Sequence, residues 1–288
     1  MHKIGLIMEG GAMRGMFTCG VIDVLMENGI EFDGAIGVSA GSTFGCNYKS
    51  RQIGRPLRYN LKYCKDERYG TFKSVRKYGD IYEKQFCYRD IPYTLDPMDK
   101  ETYESNPMEF YLVATDVESG NPVYRKIDVL DDEAMDWFQA GASMPIVSTP
   151  VEIDGHKYLD GGISDSIPLK KFQEMGYDYN VVILTQPIGY VKKKMNGLML
   201  RLKAIRKYPA IQKAMGNRHN MYNEETAYVL KEQEAGRCLV IAPKEKLGIS
   251  HTEHDPKKLQ AAYDKGKEIG LACVEQVKAY IAKAKSTK

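Results

Sequence analysis

Two short apolar runs near the N-terminus, each stopping at a glycine cluster, constrain this chain more than any other feature. Ile4 to Met8 is apolar throughout and ends at Glu9-Gly10-Gly11. A run this short, apolar on both faces and halted by glycine, predicts a strand buried inside a sheet. Phe17, Val21, Val24 and Leu25 then recur at helical spacing until Asn28-Gly29 supplies a stop. A second strand-like run, Phe32 to Val38, leads into Ser39-Ala40-Gly41-Ser42. Strand, glycine turn, helix and strand again is the βαβ unit of a parallel sheet.

The rest of the chain extends this pattern. Phe110–Thr115 and Val123–Ile127 read as strands flanking the hairpin signal Ser119-Gly120-Asn121-Pro122. Val151–Ile153 and Lys157–Leu159 flank Asp154-Gly155, a two-residue hairpin turn. Val181–Thr185 and Leu239–Ala242 are further strand candidates, and Asp131–Ala140 and Lys257–Lys285 read as helices. The expected fold is α/β, a three-layer arrangement with a mostly parallel central sheet flanked by helices. Residues 1–190 form the expected catalytic-type domain, and 191–288 a mainly helical, lysine-rich extension packed on it.

Composition narrows the class. With 43% hydrophobic and 27% charged residues over 288 positions, the chain is an ordinary globular one. No apolar run approaches the ~20 residues needed to cross a bilayer. The start lacks the apolar core of a secretory signal, and Cys19, Cys46, Cys64, Cys87, Cys238 and Cys273 show no C-x-x-C. A cytoplasmic protein with reduced thiols is expected, with no metal site and no cofactor. Net charge is only +3 and no nucleic-acid module is recognisable, so nucleic acid is not an expected partner.

Three pieces could carry chemistry. Gly37-Val38-Ser39-Ala40-Gly41 fits G-x-S-x-G between a strand and a helix start, the setting a nucleophile elbow requires. The plainer reading is a glycine-rich turn in which Ser39 caps the helix. Gly10-Gly11-Ala12-Met13-Arg14-Gly15 follows the first strand. Consecutive glycines let backbone N–H groups converge on an anion, either a phosphate or a reaction oxyanion. A dinucleotide site lacks its G-x-G-x-x-G here, and a P-loop lacks its Gly-Lys-Ser/Thr. Asp160-Gly161-Gly162 closes the second hairpin, where an aspartate could meet a serine on a neighbouring loop or could simply be a turn residue.

In content, order and spacing these three motifs resemble the patatin-like phospholipases, over roughly residues 3 to 190. The resemblance implies that Ser39 is the nucleophile and Asp160 its partner in a Ser-Asp dyad without histidine. It also implies that the amides of Gly10, Gly11 and Ala12 form an oxyanion hole, supported by Arg14, Gly15, Gly37, Gly41, Gly161 and Gly162. Pro145 and Pro168 fall where the family tends to place prolines. Ala12 stands where many members have a third glycine, which is tolerable with a negative φ, and Gly141 stands where members often have serine. The implied activity is hydrolysis of lipid-like esters through an acyl-enzyme, with a lipid or acyl ester as substrate. A non-catalytic phosphate binder using the Gly10–Gly15 turn is one alternative. A Ser-His-Asp triad is another, needing His219, His251 or His254, all three of which read as surface residues in polar context.

Nine Lys/Arg and no Asp/Glu fall between Lys192 and Asn223, leaving the rest of the chain net negative. Met195, Leu198, Met199, Leu202 and Ile205 recur at helical spacing among these charges. The pattern predicts a basic amphipathic helix, either an ordinary surface helix with an apolar core side or a peripheral contact with an anionic membrane.

Overall fold

The computed structural model describes residues 2–287. Its centre is one eight-stranded mixed sheet. The strands are β1 (Ile4–Met8), β2 (Gly34–Val38), β3 (Glu109–Asp116), β4 (Pro122–Lys126), β5 (Val151–Ile153), β6 (His156–Asp160), β7 (Tyr179–Ile183) and β8 (Cys238–Ile241). Their order is β5-β6-β3-β2-β1-β7-β8, with β4 paired beside β3. β3, β2, β1, β7 and β8 run parallel, while the two expected hairpins add the antiparallel β4, β5 and β6.

Among the described residues eleven α-helices accompany the sheet. They are α1 (Gly15–Glu27), α2 (Ala40–Lys49), α3 (Arg55–Tyr63), α4 (Phe72–Tyr78), α5 (Lys100–Ser105), α6 (Asp132–Gly141), α7 (Leu169–Glu174), α8 (Gly197–Leu200), α9 (Lys203–Arg206), α10 (Pro209–Glu234) and α11 (Pro256–Ser286). Alternation along β1 sorts them into layers. Leu6 and Met8 join a core with Val21 and Val24 of α1 and Val274 and Val277 of α11. Ile7 points the other way, into a core with Phe172 of α7 and Tyr222 and Val229 of α10. Residues two apart on a strand share a face, so one apolar run serves both layers. The architecture is the expected three-layer α/β arrangement.

The segment after residue 190 builds part of this sheet. β8 extends it beside β7, α10 covers one face, and α11 lies against α1 on the other. The α1–α11 crossing is close because a Cβ on Gly20 would sit 2.1 Å from the Tyr263 carbonyl oxygen. All six cysteines are free, and among the described residues no helix is long and apolar enough to cross a membrane.

The basic segment departs from expectation. In place of one amphipathic helix there are two single turns, α8 and α9, followed by α10. Asn196 caps α8 by accepting the Leu198 N–H, and Leu202 is extended (ψ 140°) between the two turns. Pro209 then opens α10, having no amide to contribute further back. The apolar spacing is real, but only Ile205 is buried and Leu198, Met199 and Leu202 stay largely exposed, too little packing to hold a continuous helix.

Candidate active site

Ser39 sits at the bend between β2 and α2, with φ 54° and ψ −125°. That conformation is strained for a residue with a side chain, and it pushes the hydroxyl outward at a helix N-terminus. The flanking glycines make the bend possible. A Cβ on Gly37 would lie 2.3 Å from the Gly41 carbonyl oxygen, and one on Gly41 would lie 2.2 Å from that of Met8. Ser42 secures the turn by donating from its N–H (2.9 Å) and Oγ (2.7 Å) to the Ser39 carbonyl.

The first glycine loop lies against this bend. A Cβ on Gly10 would come within 2.8 Å of the Ser39 Cβ. Thr185 Oγ1 donates to the Gly10 carbonyl at 2.7 Å, and Gly15 starts α1 tightly against Phe44. The amides of Gly10, Gly11 and Ala12 donate to no protein acceptor among the described residues. Ala12 corrects an expectation: its φ is +49°, not negative. The loop turns through the left-handed region there, which costs a residue with a Cβ about 1–2 kcal/mol.

Asp160 ends β6 and is 1% exposed. Its N–H donates to the Ser143 carbonyl at 2.9 Å, and its carbonyl accepts from Thr115 Oγ1 at 2.8 Å. Gly162 N–H donates to Oδ1 at 2.8 Å, while Oδ2 is buried without a hydrogen-bond partner. Burial raises the carboxyl above the usual range for aspartate. The Ser39 hydroxyl, Arg218 and the Gly162 N–H act in the opposite direction. Gly161 allows β3 to approach, since its Cβ would meet the Val113 carbonyl oxygen at 2.3 Å. Ser39, Asp160 and the Gly10–Ala12 loop, about 150 residues apart at the extremes in sequence, line one cavity.

Side chains that sequence reasoning missed line this cavity or brace the loop beside it. Arg218 of α10 donates through Nε to the Gly162 carbonyl. Glu225, one helical turn pair further on, accepts the N–H groups of Ser166 and Ile167, both at 3.1 Å to Oε2. Burial and the facing Asp165 push the Glu225 carboxyl upward, and its hydrogen bonds hold α10 on this loop. Buried Glu9 takes Tyr222 OH at 2.8 Å and Thr185 N–H at 2.6 Å. His251 is exposed, as expected, and its ring also lines the cavity. Arg14 Nη1 donates to its Nε2 at 2.7 Å, so the imidazole is the acceptor and is neutral. Burial, Arg14, Lys192 and Arg218 together push it down to about 4. His254 contacts the Cys64 carbonyl through Nδ1, and His219 Nδ1 is buried without a partner.

Two spaces meet at the serine. One, about 650 Å³, is apolar and is walled by Phe44, Tyr59, Tyr88, Ile91, Met135 and Phe138 among others. The other, about 110 Å³, is polar and contains Glu9, Arg14, Asp160, Lys192 and Arg218. Ala12, Ser39, Met144 and His251 border both. Among the described residues, no three His, Cys, Asp or Glu side chains gather as metal ligands.

Residues 6–172 match the family model for patatin-like phospholipase. The chain belongs to the patatin-like phospholipase family. Residues 208–282, which carry Arg218, Tyr222 and His251, match a domain of unknown function, DUF6363. An uncharacterized protein of Escherichia coli (strain K12), YjjU, is 32% identical over 64% of this chain and 52% of its own length. An uncharacterized NTE family protein of Mycobacterium tuberculosis is 24% identical over 63% of this chain and 48% of its own. Lysophospholipase nte1 of Aspergillus fumigatus is 25% identical over 66% of this chain and 12% of its own. The chain thus spans about half the length of the first two relatives. Among solved structures, VipD from Legionella pneumophila gives a TM-score of 0.48 at 12% identity, over 96% of this chain and 67% of that one.

Proposed function

We propose that this patatin-like protein is a serine acyl hydrolase that cleaves lipid-like esters through a Ser39–Asp160 dyad. One observation carries the reading: the elbow serine stands between a large apolar cavity and a buried aspartate with an unpartnered oxygen. A serine hydroxyl is a weak nucleophile and needs a base within reach. Asp160 Oδ2 takes the Ser39 proton as Oγ attacks the ester carbonyl. The oxyanion is received by the free amides of Gly10, Gly11 and Ala12, where each donor is worth about 3–4 kcal/mol. Collapse expels the alcohol, which takes the proton back from Asp160. Water, deprotonated by the same carboxylate, then frees the acid from Ser39. The apolar cavity suits an acyl chain, and the lysophospholipase name of a relative agrees with that substrate class.

Ser39→Ala and Asp160→Asn should each lower ester hydrolysis by about 10³-fold or more, and the double variant should be no worse than either. Multiplying losses would show that the two do not act as a unit. A phosphate binder would keep its ligand in Ser39→Ala and resist fluorophosphonate labelling. A thousandfold loss in His251→Gln would replace the dyad with a triad.

Docking on anionic lipid is part of this proposal. Lys193, Lys194, Arg201, Lys203, Arg206, Lys207 and Lys213 are exposed, and Leu198 (71%) and Met199 (44%) stand out among them. Met195 and Met199 also line the apolar cavity, so the basic segment borders it.

A further inference from the structure

Three cations converge on the small cavity beside Ser39: Arg14, Lys192 and Arg218. Each is positioned by hydrogen bonds to groups other than carboxylates. Arg14 is held by His251, and its Nε is buried without an acceptor. The Lys192 main chain is pinned to α10, its N–H donating to Asn223 Oδ1 (2.8 Å) and its carbonyl accepting from Asn223 Nδ2 (3.2 Å). Its Nζ rests 4.2 Å from the centre of the Tyr222 ring. Arg218 is anchored by the Gly162 carbonyl. Among the described residues none of the three is ion-paired to a carboxylate. Glu9, the acid nearest Lys192 in effect, already accepts from Tyr222 and Thr185. Burial and the two arginines push Lys192 down to about 8, against the smaller opposing pull of Glu9 and Glu225.

We infer that this cavity receives the phosphate of an anionic lipid headgroup, while the acyl chain of the same molecule lies in the larger cavity. The inference rests on the esterase reading and adds its substrate class. Guanidinium groups offer forked donors matched to phosphate oxygens, and the ammonium adds a point charge. A volume of about 110 Å³ suits a compact polar group and not a second chain. A headgroup carrying its own cation would meet repulsion here, so phosphate monoesters are favoured over choline esters.

The test compares oleoyl-glycerol phosphate with mono-oleoylglycerol, which share an acyl chain and differ in the phosphate. The kcat/KM ratio should favour the phosphate by about tenfold or more, falling toward unity in Lys192→Gln and surviving in Lys192→Arg. Binding is read separately by calorimetry in Ser39→Ala, where there is no turnover. Equal affinity for the two lipids there, or a preference that Lys192→Gln leaves intact, overturns the inference. Selective binding without hydrolysis in the parent protein overturns the esterase reading alone. Inorganic phosphate that binds in a Lys192-dependent way, with no preference between the lipids, would assign the cavity to free phosphate and also overturn it.

Discussion

Replacing Arg218 with glutamine isolates the contribution of α10 to the base. Glutamine retains a donor for the Gly162 carbonyl but removes the charge that favours ionised Asp160. The separation follows from the glycine between them. A Cβ on Gly162 would lie 3.1 Å from Asp160 Oδ1 and 3.2 Å from Arg218 Nη2. The two groups are therefore at most about 6 Å apart, where unit charges at an effective dielectric of about 20 attract by about 3 kcal/mol. Arg218 is partly exposed, and screening lowers this to about 1–2 kcal/mol. One pH unit corresponds to about 1.4 kcal/mol, so the Asp160 carboxyl should rise by about one unit. In the proposed dyad Asp160 acts as base only when ionised, so the acidic limb of the kcat/KM profile should move to higher pH by that amount. The assay is hydrolysis of p-nitrophenyl butyrate, a neutral ester that does not depend on headgroup recognition. Well above both limbs the variant should recover to within about tenfold of the parent. A uniform loss at every pH, with the limb unmoved, would refute the electrostatic coupling and leave Arg218 a purely structural role.

Two further outcomes are expected. Ala12→Gly relieves a left-handed φ worth about 1–2 kcal/mol but frees the unfolded chain by about 0.4–1 kcal/mol, so denaturant unfolding should show unchanged or slightly higher stability. A loss above about 1 kcal/mol would contradict the left-handed turn. In co-sedimentation, vesicles containing anionic lipid should bind the protein at low salt and release it at high salt, because exposed charges are screened within about 8 Å at physiological ionic strength. Replacing Lys193, Lys194 and Arg201 with glutamine should weaken that binding, and equal binding to neutral vesicles would sink the docking proposal.

The parts legible in the sequence are those governed by neighbours in the chain. Gly37, Ser39 and Gly41 are readable because a strained strand-to-helix bend admits few residue types, and the structure puts carbonyl oxygens where side chains on the two glycines would be. The uniformly apolar Ile4–Met8 announced a strand covered on both faces, and both faces are covered. Asp160 was readable as a strand-end residue beside glycines, though its burial and its empty Oδ2 were not. The spacing of Leu198, Met199 and Leu202 misled, because periodicity records which side chains could share a face and not whether anything packs there.

By itself, the sequence determined the sheet-forming runs, the elbow and the chemistry its serine could perform. Tertiary structure alone decided what surrounds that serine. Arg218 reaches Gly162 across 56 positions, and His251 reaches Arg14 across 237. Neither contact leaves a mark on local pattern, because each depends on α10 and the loop after β8 being laid over the ends of strands formed far earlier in the chain. Nor is the sharing-out of the basic segment written in its charges: Lys192 and Arg218 turn inward while their neighbours face solvent. A lysine carries the same charge in either place, and only the packing of Asn223 and Tyr222 against Lys192 turns it toward the serine.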